Sequence, residues 1–422
     1  MATCILIAVI PCPTSGLPHR SMLEQQFARY LESLKSRYRI PLSVELWNGS
    51  RVDLVDVPVA RLKLKSLAAA RLLMKPTILN LGEAYVEGEI DVEGPIDEIV
   101  QIGDQLAGTT GDDAPKGLGL PNWLARHTRT TDRKAVQYHY DVSNEFYQQW
   151  LDPQMVYSCA YYPTGGEDLA AAQAAKLDHV CRKLRLAHGE RLLDIGCGWG
   201  AMVMHAARHY GVRAVGVTLS ERQHELARER VAAAGLADRV EIRLQDYRDI
   251  DDGPYDKISS IGMFEHVGLK NLGGYFQIVA RLLREGGIAM NHGITAADVD
   301  SHGVGHGVSE FIDKYVFPDG ELPHVSLAIR ELSAAGLELV DAESLRRHYA
   351  RTCAAWSRNF EHALGRLEQI ANPRQVRIWR IYLAGCAMGF ARGWMNIYQL
   401  LAVKGGAETA GLPLSREYMY AR

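Results

Sequence analysis

Residues 191–200, RLLDIGCGWG, read as a buried strand that runs directly into a glycine loop. Glycine there lets the chain turn tightly and lets the backbone approach a ligand with no Cβ in the way. The segments that follow keep one rhythm. AMVMHAARHY (201–210) has helical spacing, VRAVGVTLS (212–220) is a short apolar strand, and ERQHELARERVAAAG (221–235) is a charged amphipathic helix closed by glycine. RVEIRLQD (239–246), KISSIGMF (257–264) and GIAMNHG (287–293) are further strands, with a helix over 272–283 between the last two. Strands alternating with helices predict an α/β fold on a parallel, doubly wound, Rossmann-like sheet.

Outward from this unit the pattern changes. The 422 residues suffice for two or three domains. Residues 21–107 read as a small α+β unit, with a helix over Met22 to Arg37 and apolar segments at Pro41 to Trp47 and Leu79 to Val92. GTTGDDAPKGLGLP (108–121), rich in Gly, Pro and Asp, opens a linker that we extend to residue 130, so the larger unit spans 131–422. The stretch from Leu327 to Leu401 is aromatic-rich and mostly helical, with one strand near Leu337 to Asp341. Residues 1–20 lack a basic start and a small-residue cleavage site, and read as a disordered extension rather than a signal peptide. A net charge of −3 argues against nucleic acid as a partner, and no apolar run is long enough to span a bilayer. Seven scattered cysteines with no C-x-x-C pair fit a reducing cytoplasm.

The glycine loop admits two cofactors. Gly196, Gly198 and Ala201 satisfy the dinucleotide pattern G-x-G-x-x-A. A dinucleotide site also needs an acidic residue about 20 positions on, at the end of the next strand. Thr218-Leu219-Ser220 stands there instead, and Asp194 ahead of the glycines suits S-adenosylmethionine (SAM), so SAM is favoured.

YHYDVSNEFYQQWLDPQMVYSCAYY (138–162), LLDIGCGWG, GVTLSERQ, SSIGMFEHVG and FIDKYVFPDGELP (311–323) together resemble the cyclopropane-fatty-acyl-phospholipid synthase family and its mycolic acid relatives. The likeness runs from about residue 130 to the C-terminus. GEAYVEGEIDVEG (82–94) also resembles the small N-terminal domain of the phospholipid-acting members. The resemblance implies a class I SAM-dependent methyltransferase domain with aromatic-rich helical lipid-binding elements, preceded by a small α+β domain. It implies cofactor contacts at Tyr157, Ser158, Asp194, Gly196, Cys197, Gly198, Trp199, Gly200, Thr218, Leu219, Ser220 and Gln223, completed by Asp246, Tyr247 and Ile261. A bound bicarbonate would fall to Cys159, Glu265, His292 and Tyr349, with Ile294 as a further backbone contact. Cys386 aligns with a cysteine assigned to the family's active site, and we expect it beside the lipid. The partners implied are unsaturated phospholipids, met peripherally at the inner, cytoplasmic face of the membrane, and a second copy of the chain in a homodimer.

The chemistry explains these residue types. An alkene is a weak nucleophile, so the sulfonium methyl must be presented close and in line. Attack leaves a carbocation, which calls for aromatic faces; candidates are Tyr140, Phe311, Tyr315 and Tyr349. Ring closure then needs a base. Glu265, where a strand should emerge from the sheet, is expected to hold that base rather than to be it. His266 is expected to be structural. His302 and His306 show an H-x-x-x-H spacing, but in a Gly-rich stretch without a suitable carboxylate we assign no metal. Arg126, Arg129, Arg133 and Lys134 would suit anionic headgroups or a solvated face. Gly293 after His292 and the inserted ITAADVDSHGVGHGVSE depart from the phospholipid pattern and leave the product open. It is a cyclopropane or, failing ring closure, a methyl branch or methylated alkene; a non-catalytic lipid carrier is the reading from another class.

Overall fold

Leu192 and Leu193 of the glycine-loop strand point to opposite faces of a sheet and enter two separate apolar cores. That is the signature of a strand covered by helices on both sides. A computed structural model describes residues 22–109, 142–305, 307–318 and 320–420 of the protein. It contains two sheets.

The smaller sheet has β1 (Leu42–Glu45), β2 (Arg51–Asp53), β3 (Ala60–Leu64) and β4 (Ile90–Glu93), in the order β2-β1-β3-β4. The helix Met22–Arg37 buries Phe27, Leu31 and Leu34, a spacing of three and four that makes one apolar stripe against this sheet. The stretch read as apolar segments over 79–92 is a helix, Ile78–Val86, capped by the Thr77 side chain, followed by β4.

The larger sheet has seven strands: β5 (Arg191–Ile195), β6 (Arg213–Thr218), β7 (Val240–Leu244), β8 (Tyr255–Ile261), β9 (Leu283–Ala296), β10 (Leu337–Ser344) and β11 (Met395–Lys404). Their order is β10-β11-β9-β8-β5-β6-β7. The run β9-β8-β5-β6-β7 is parallel, and β11 lies antiparallel between β9 and β10. The sequence reading missed β11, taking helix to Leu401. Gly393, in the left-handed conformation, closes the helix Pro373–Arg392, and the apolar run beyond it inserts into the sheet. A short apolar run looks alike as buried helix or buried strand, which is why periodicity failed there.

At the carboxyl end of β5 the chain turns through Gly196, whose φ is +82° and whose Cβ would stand 2.9 Å from Met263 Cβ. No other residue fits both demands. The two units are tied along the helix Pro373–Arg392 by Arg374–Glu87 at 3.0 Å, Arg377–Asp91 at 2.5 Å and an Arg392–Asp104 pair. Lys314–Glu83, at 2.7 Å, adds a fourth link from the helix Val308–Tyr315.

Candidate functional site

The glycine loop opens a cleft of about 140 Å3 at the carboxyl ends of β5, β6 and β8, where open parallel sheets receive their ligands. One wall is the extended segment Val156–Tyr162. It is held in place by Gln173, which donates to the Ser158 carbonyl at 2.9 Å, and by Thr352, which accepts from the Ala160 amide at 3.1 Å. Asp194 at the floor is buried, and its carboxylate accepts from Ser259 Oγ at 2.7 Å. Burial pushes its carboxyl up to about 6, against the pull of Ser259 and the charge of Lys176. Thr218 Oγ1 donates to Gln223 Oε1 at 2.8 Å, fixing that amide against the cleft.

Of the expected cofactor contacts, Tyr157, Ser158, Asp194, Gly196, Cys197, Gly198, Trp199, Thr218, Leu219, Gln223, Tyr247 and Ile261 line this cleft. Three do not, and each has another task. Gly200 starts the helix Ala201–Tyr210 with a left-handed backbone. Ser220 caps the helix Glu221–Ala233 by accepting from the Gln223 amide. The Asp246 carboxylate is engaged by Arg248 at 2.7 Å.

Sequence reasoning missed Lys176 altogether. It lies on the helix Leu169–Lys183, is 1% exposed, and donates to Ser158 Oγ at 3.0 Å. Burial lowers its ammonium to about 8, and its charge acts on Asp194, Cys159 and His292. The one available signal was a lysine in register with Ala172, Leu177 and Val180 on the buried stripe. His266, expected to be structural, instead lines the cleft together with Met263 and Arg248.

Next to the cleft, four distant segments converge. Glu265 sits on the short turn Phe264–His266 just beyond β8, and its Oε1 accepts from the Ile294 amide at 2.7 Å. Its other oxygen, Oε2, is buried without a partner. His292 on β9 is fully buried; Gln399 Nε2 of β11 stands 3.4 Å from its Nδ1, and its other ring nitrogen, Nε2, has no partner. Cys159 and Tyr349 belong to the adjoining aromatic cluster with Ile294, Trp356 and Trp379. Burial pushes Glu265 up to about 7, holds His292 well below the ordinary histidine range, and raises Cys159 and Tyr349. Burial thus suppresses charge on all four groups, and two of them carry unsatisfied polar atoms. Buried atoms of this kind cost free energy unless something meets them. Ile294 departs from expectation, because its amide is already taken by Glu265.

Other expected site residues lie elsewhere. Phe311 and Tyr315 pack at a tilt, 4.9 Å apart, between the two units, and the charges of Lys314 and Arg374 lie over the Tyr315 ring at 5.1 and 5.3 Å. Neither belongs to the aromatic cluster that holds Cys159 and Tyr349. The aromatic faces beside Tyr349 are those of Trp356, at 5.9 Å, and Phe390, at 4.5 Å, while Tyr157 stands 5.1 Å from Trp356. Cys386 lines a second, apolar cavity, where burial pushes its thiol up to about 12. Tyr140, His306 and the cluster Arg126, Arg129, Arg133 and Lys134 lie outside the described residues, as does most of the linker. His302 Nδ1 meets Asp298 at 2.8 Å, and with Asp300 these exposed side chains bring three ligand atoms within 4.8 Å of one another. Hydrogen bonds from the backbone amides of Asp300 and His302 to Asp298 account for that arrangement.

Residues 127–400 match the family described as mycolic acid cyclopropane synthetase, and residues 29–110 match a domain of unknown function. A probable fatty acid methyltransferase of Pseudomonas putida is 48% identical over 383 residues, covering 90% of this chain and 96% of that protein. The cyclopropane-fatty-acyl-phospholipid synthase of Escherichia coli K12 is 40% identical, over 68% of this chain and 76% of its own. The mycolic acid cyclopropane synthase CmaA1, solved with SAH and CTAB, superposes with a TM-score of 0.61 at 34% identity, over 64% of this chain and 98% of its own. The chain belongs to the mycolic acid cyclopropane synthetase family and is a SAM-dependent lipid methyltransferase of the cyclopropane synthase type.

Proposed function

We propose that the protein is a cyclopropane-fatty-acyl-phospholipid synthase, adding a methylene from SAM across the cis double bond of a phospholipid acyl chain. The observation that carries this reading is the pair of buried, unpartnered atoms, Glu265 Oε2 and His292 Nε2, beside the cofactor cleft. A small oxyanion suits them: a Glu265 carboxyl raised to about 7 keeps a share of its proton to donate, and the neutral His292 ring presents its unpartnered Nε2. Bicarbonate, when bound there, supplies the base for the final deprotonation. Cys159 and Tyr349 are the neighbours that complete its enclosure.

The remaining steps follow from the chain's own groups. The alkene's electron pair forms a bond to the sulfonium methyl as the S–C bond breaks, leaving S-adenosylhomocysteine and a carbocation on the chain. Tyr157, Tyr349 and Trp356 offer aromatic faces to that charge. Dense aromatic packing around Trp150 and Trp379 excludes water that would trap the cation as an alcohol. Loss of one proton from the added methyl then closes the ring. Asp194, Gln223 and Lys176 serve the cofactor's amino-acid end and take no part in that proton transfer.

The name of the Pseudomonas putida relative favours a second reading, methylation of a fatty acyl chain without ring closure. Incubation with mono-unsaturated phospholipid vesicles and SAM separates the two. A gain of one CH2 with loss of the olefinic proton signals is the expected result; the same gain with the olefin retained would establish the second reading, and no gain would sink both.

The proposal extends to place and assembly. No described helix is long and apolar enough to cross a membrane, so the acyl chain is drawn from the inner membrane surface by peripheral docking. Vesicle flotation tests the docking, and sedimentation tests the proposed homodimer.

A further inference from the structure

A second cavity, of about 150 Å3, lies between the smaller sheet and the helix Pro373–Arg392. Leu42, Leu62, Ile102 and Leu106 line one side and Phe311 and Ile381 the other. The charged residue in its lining, Arg61, pairs its Nη1 with Glu93 at 3.1 Å, while its Nε is buried without a partner. A cavity walled by aliphatic and aromatic groups stays dry and takes an apolar guest.

Three helical glycines face this space: Gly82, Gly103 and Gly385. Glycine in a helix interior is less stable than alanine, so each needs a reason. Gly82 has one in packing, since a Cβ there would stand 2.8 Å from the Phe311 ring. Gly103 and Gly385 have none of that kind. Each lies inside a helix, and no atom stands within 4 Å of where its Cβ would go. What a side chain at either position would remove is the cavity itself.

The cavity also shares a wall with the reacting site. Tyr382 is part of its lining and packs against Trp379 at 5.7 Å, inside the cluster that contains Tyr157, Cys159, Ile294 and Tyr349. Cys386, one helical turn on, faces the same space.

We propose that this cavity receives the unsaturated acyl chain, with the amino-terminal unit as one wall, and that Gly103 and Gly385 set how much chain extends past the double bond. The proposal rests on the lipid-methylating function inferred above. It makes the amino-terminal unit part of the substrate site rather than an accessory.

The test uses the full chain with Gly103→Leu and Gly385→Leu, and Gly103→Ala as the mild variant. Vesicles contain two phospholipids whose acyl chains are equal in length but differ in double-bond depth. Both leucine variants should lose about tenfold more transfer to the isomer with the longer tail beyond the double bond, as expected for crowding a hydrophobic pocket. Gly103→Ala should shift the ratio slightly in the same direction. A wild-type ratio in both leucine variants, with circular dichroism and SAM affinity intact, overturns the proposal. A phospholipid with a photoreactive diazirine on its acyl chain gives a second readout that needs neither turnover nor variants. Labelling of peptides within 96–108 and 373–392 is expected, and labelling confined to other regions overturns the site. Labelling there without any methyl transfer would leave the cavity assignment standing and remove the proposed reaction instead.

Discussion

The cofactor cleft and the neighbouring Glu265–His292 cluster share the carboxyl edge of one sheet, yet they treat polar groups in opposite ways. In the cleft these buried polar groups are met within the protein: Asp194 by Ser259, Lys176 by Ser158, Thr218 by Gln223. In the cluster Glu265 Oε2, His292 Nε2 and Gln399 Oε1 meet nothing in the protein. The cleft is thus a preformed receptor, whereas the cluster is complete only with a small polar guest. Binding of SAM and turnover should therefore respond to different residues.

The largest separation is expected at Glu265. Glu265→Gln keeps the shape but cannot share a titrating proton, so turnover should fall by about 10²- to 10⁴-fold, the range for loss of positioned proton-transfer catalysis. SAM affinity, read by calorimetry, should stay within about twofold. Equal losses in both would mean that the carboxylate belongs to the cofactor site, and the contrast would collapse. Asp194→Asn should do the reverse. It removes a buried charged acceptor worth about 1.5–3 kcal/mol, which corresponds to a dissociation constant for SAM raised about 10- to 100-fold. Single-turnover rates at saturating SAM should change far less.

How legible the two regions were in the sequence follows the same division. The cleft is built from contiguous pieces at strand ends, so the glycine loop and the strands and helices around it were readable from local pattern, while Thr218 to Gln223 were named as cofactor contacts through family resemblance. Its exception, Lys176, looks like a surface lysine on an alanine-rich helix, because charge alone does not report burial. The cluster is assembled from positions 159, 265, 292 and 349, and no local rule joins them; they were named through family resemblance. Gln399, the neighbour that orients His292, stayed hidden because its strand was taken for helix. Phe311 and Tyr315 lie outside the cluster of Cys159 and Tyr349, and Phe311 lines the apolar cavity instead, since an aromatic pair reads the same in a cation pocket as in a contact between two units.

The pH dependence sharpens the contrast more gently. Glu265 goes from 4.5 in the unfolded chain to about 7 in the folded one. Between those values the folded state holds a proton that the unfolded state has released, so its stabilising share is full below about 4.5 and is lost as pH rises to about 7. Turnover should likewise decline severalfold above about 7, as the carboxyl ceases to donate. SAM affinity should instead weaken as pH falls through about 6, where Asp194 takes up its proton. Glu265→Gln should lessen the fall of melting temperature between pH 4.5 and 7, leaving the share that Asp194 contributes, and an unchanged slope would show that the proton resides on another group.

The smallest effect is expected at Cys386, and it bears on what the apolar cavity is for. A thiol pushed up to about 12 by burial is almost wholly protonated at neutral pH, with only about one molecule in 10⁵ as thiolate. It stands in a wall shared with Tyr382 and Gly385, not among the unsatisfied atoms of the cluster. Cys386→Ser should therefore keep turnover within about threefold of the wild type. Cys386→Phe should nonetheless inhibit, because the ring fills space meant for the acyl chain. If the serine variant instead lost turnover by a factor of a hundred or more, the thiol would have a chemical role, and the division between a dry cavity and a polar cluster would have to be redrawn around it.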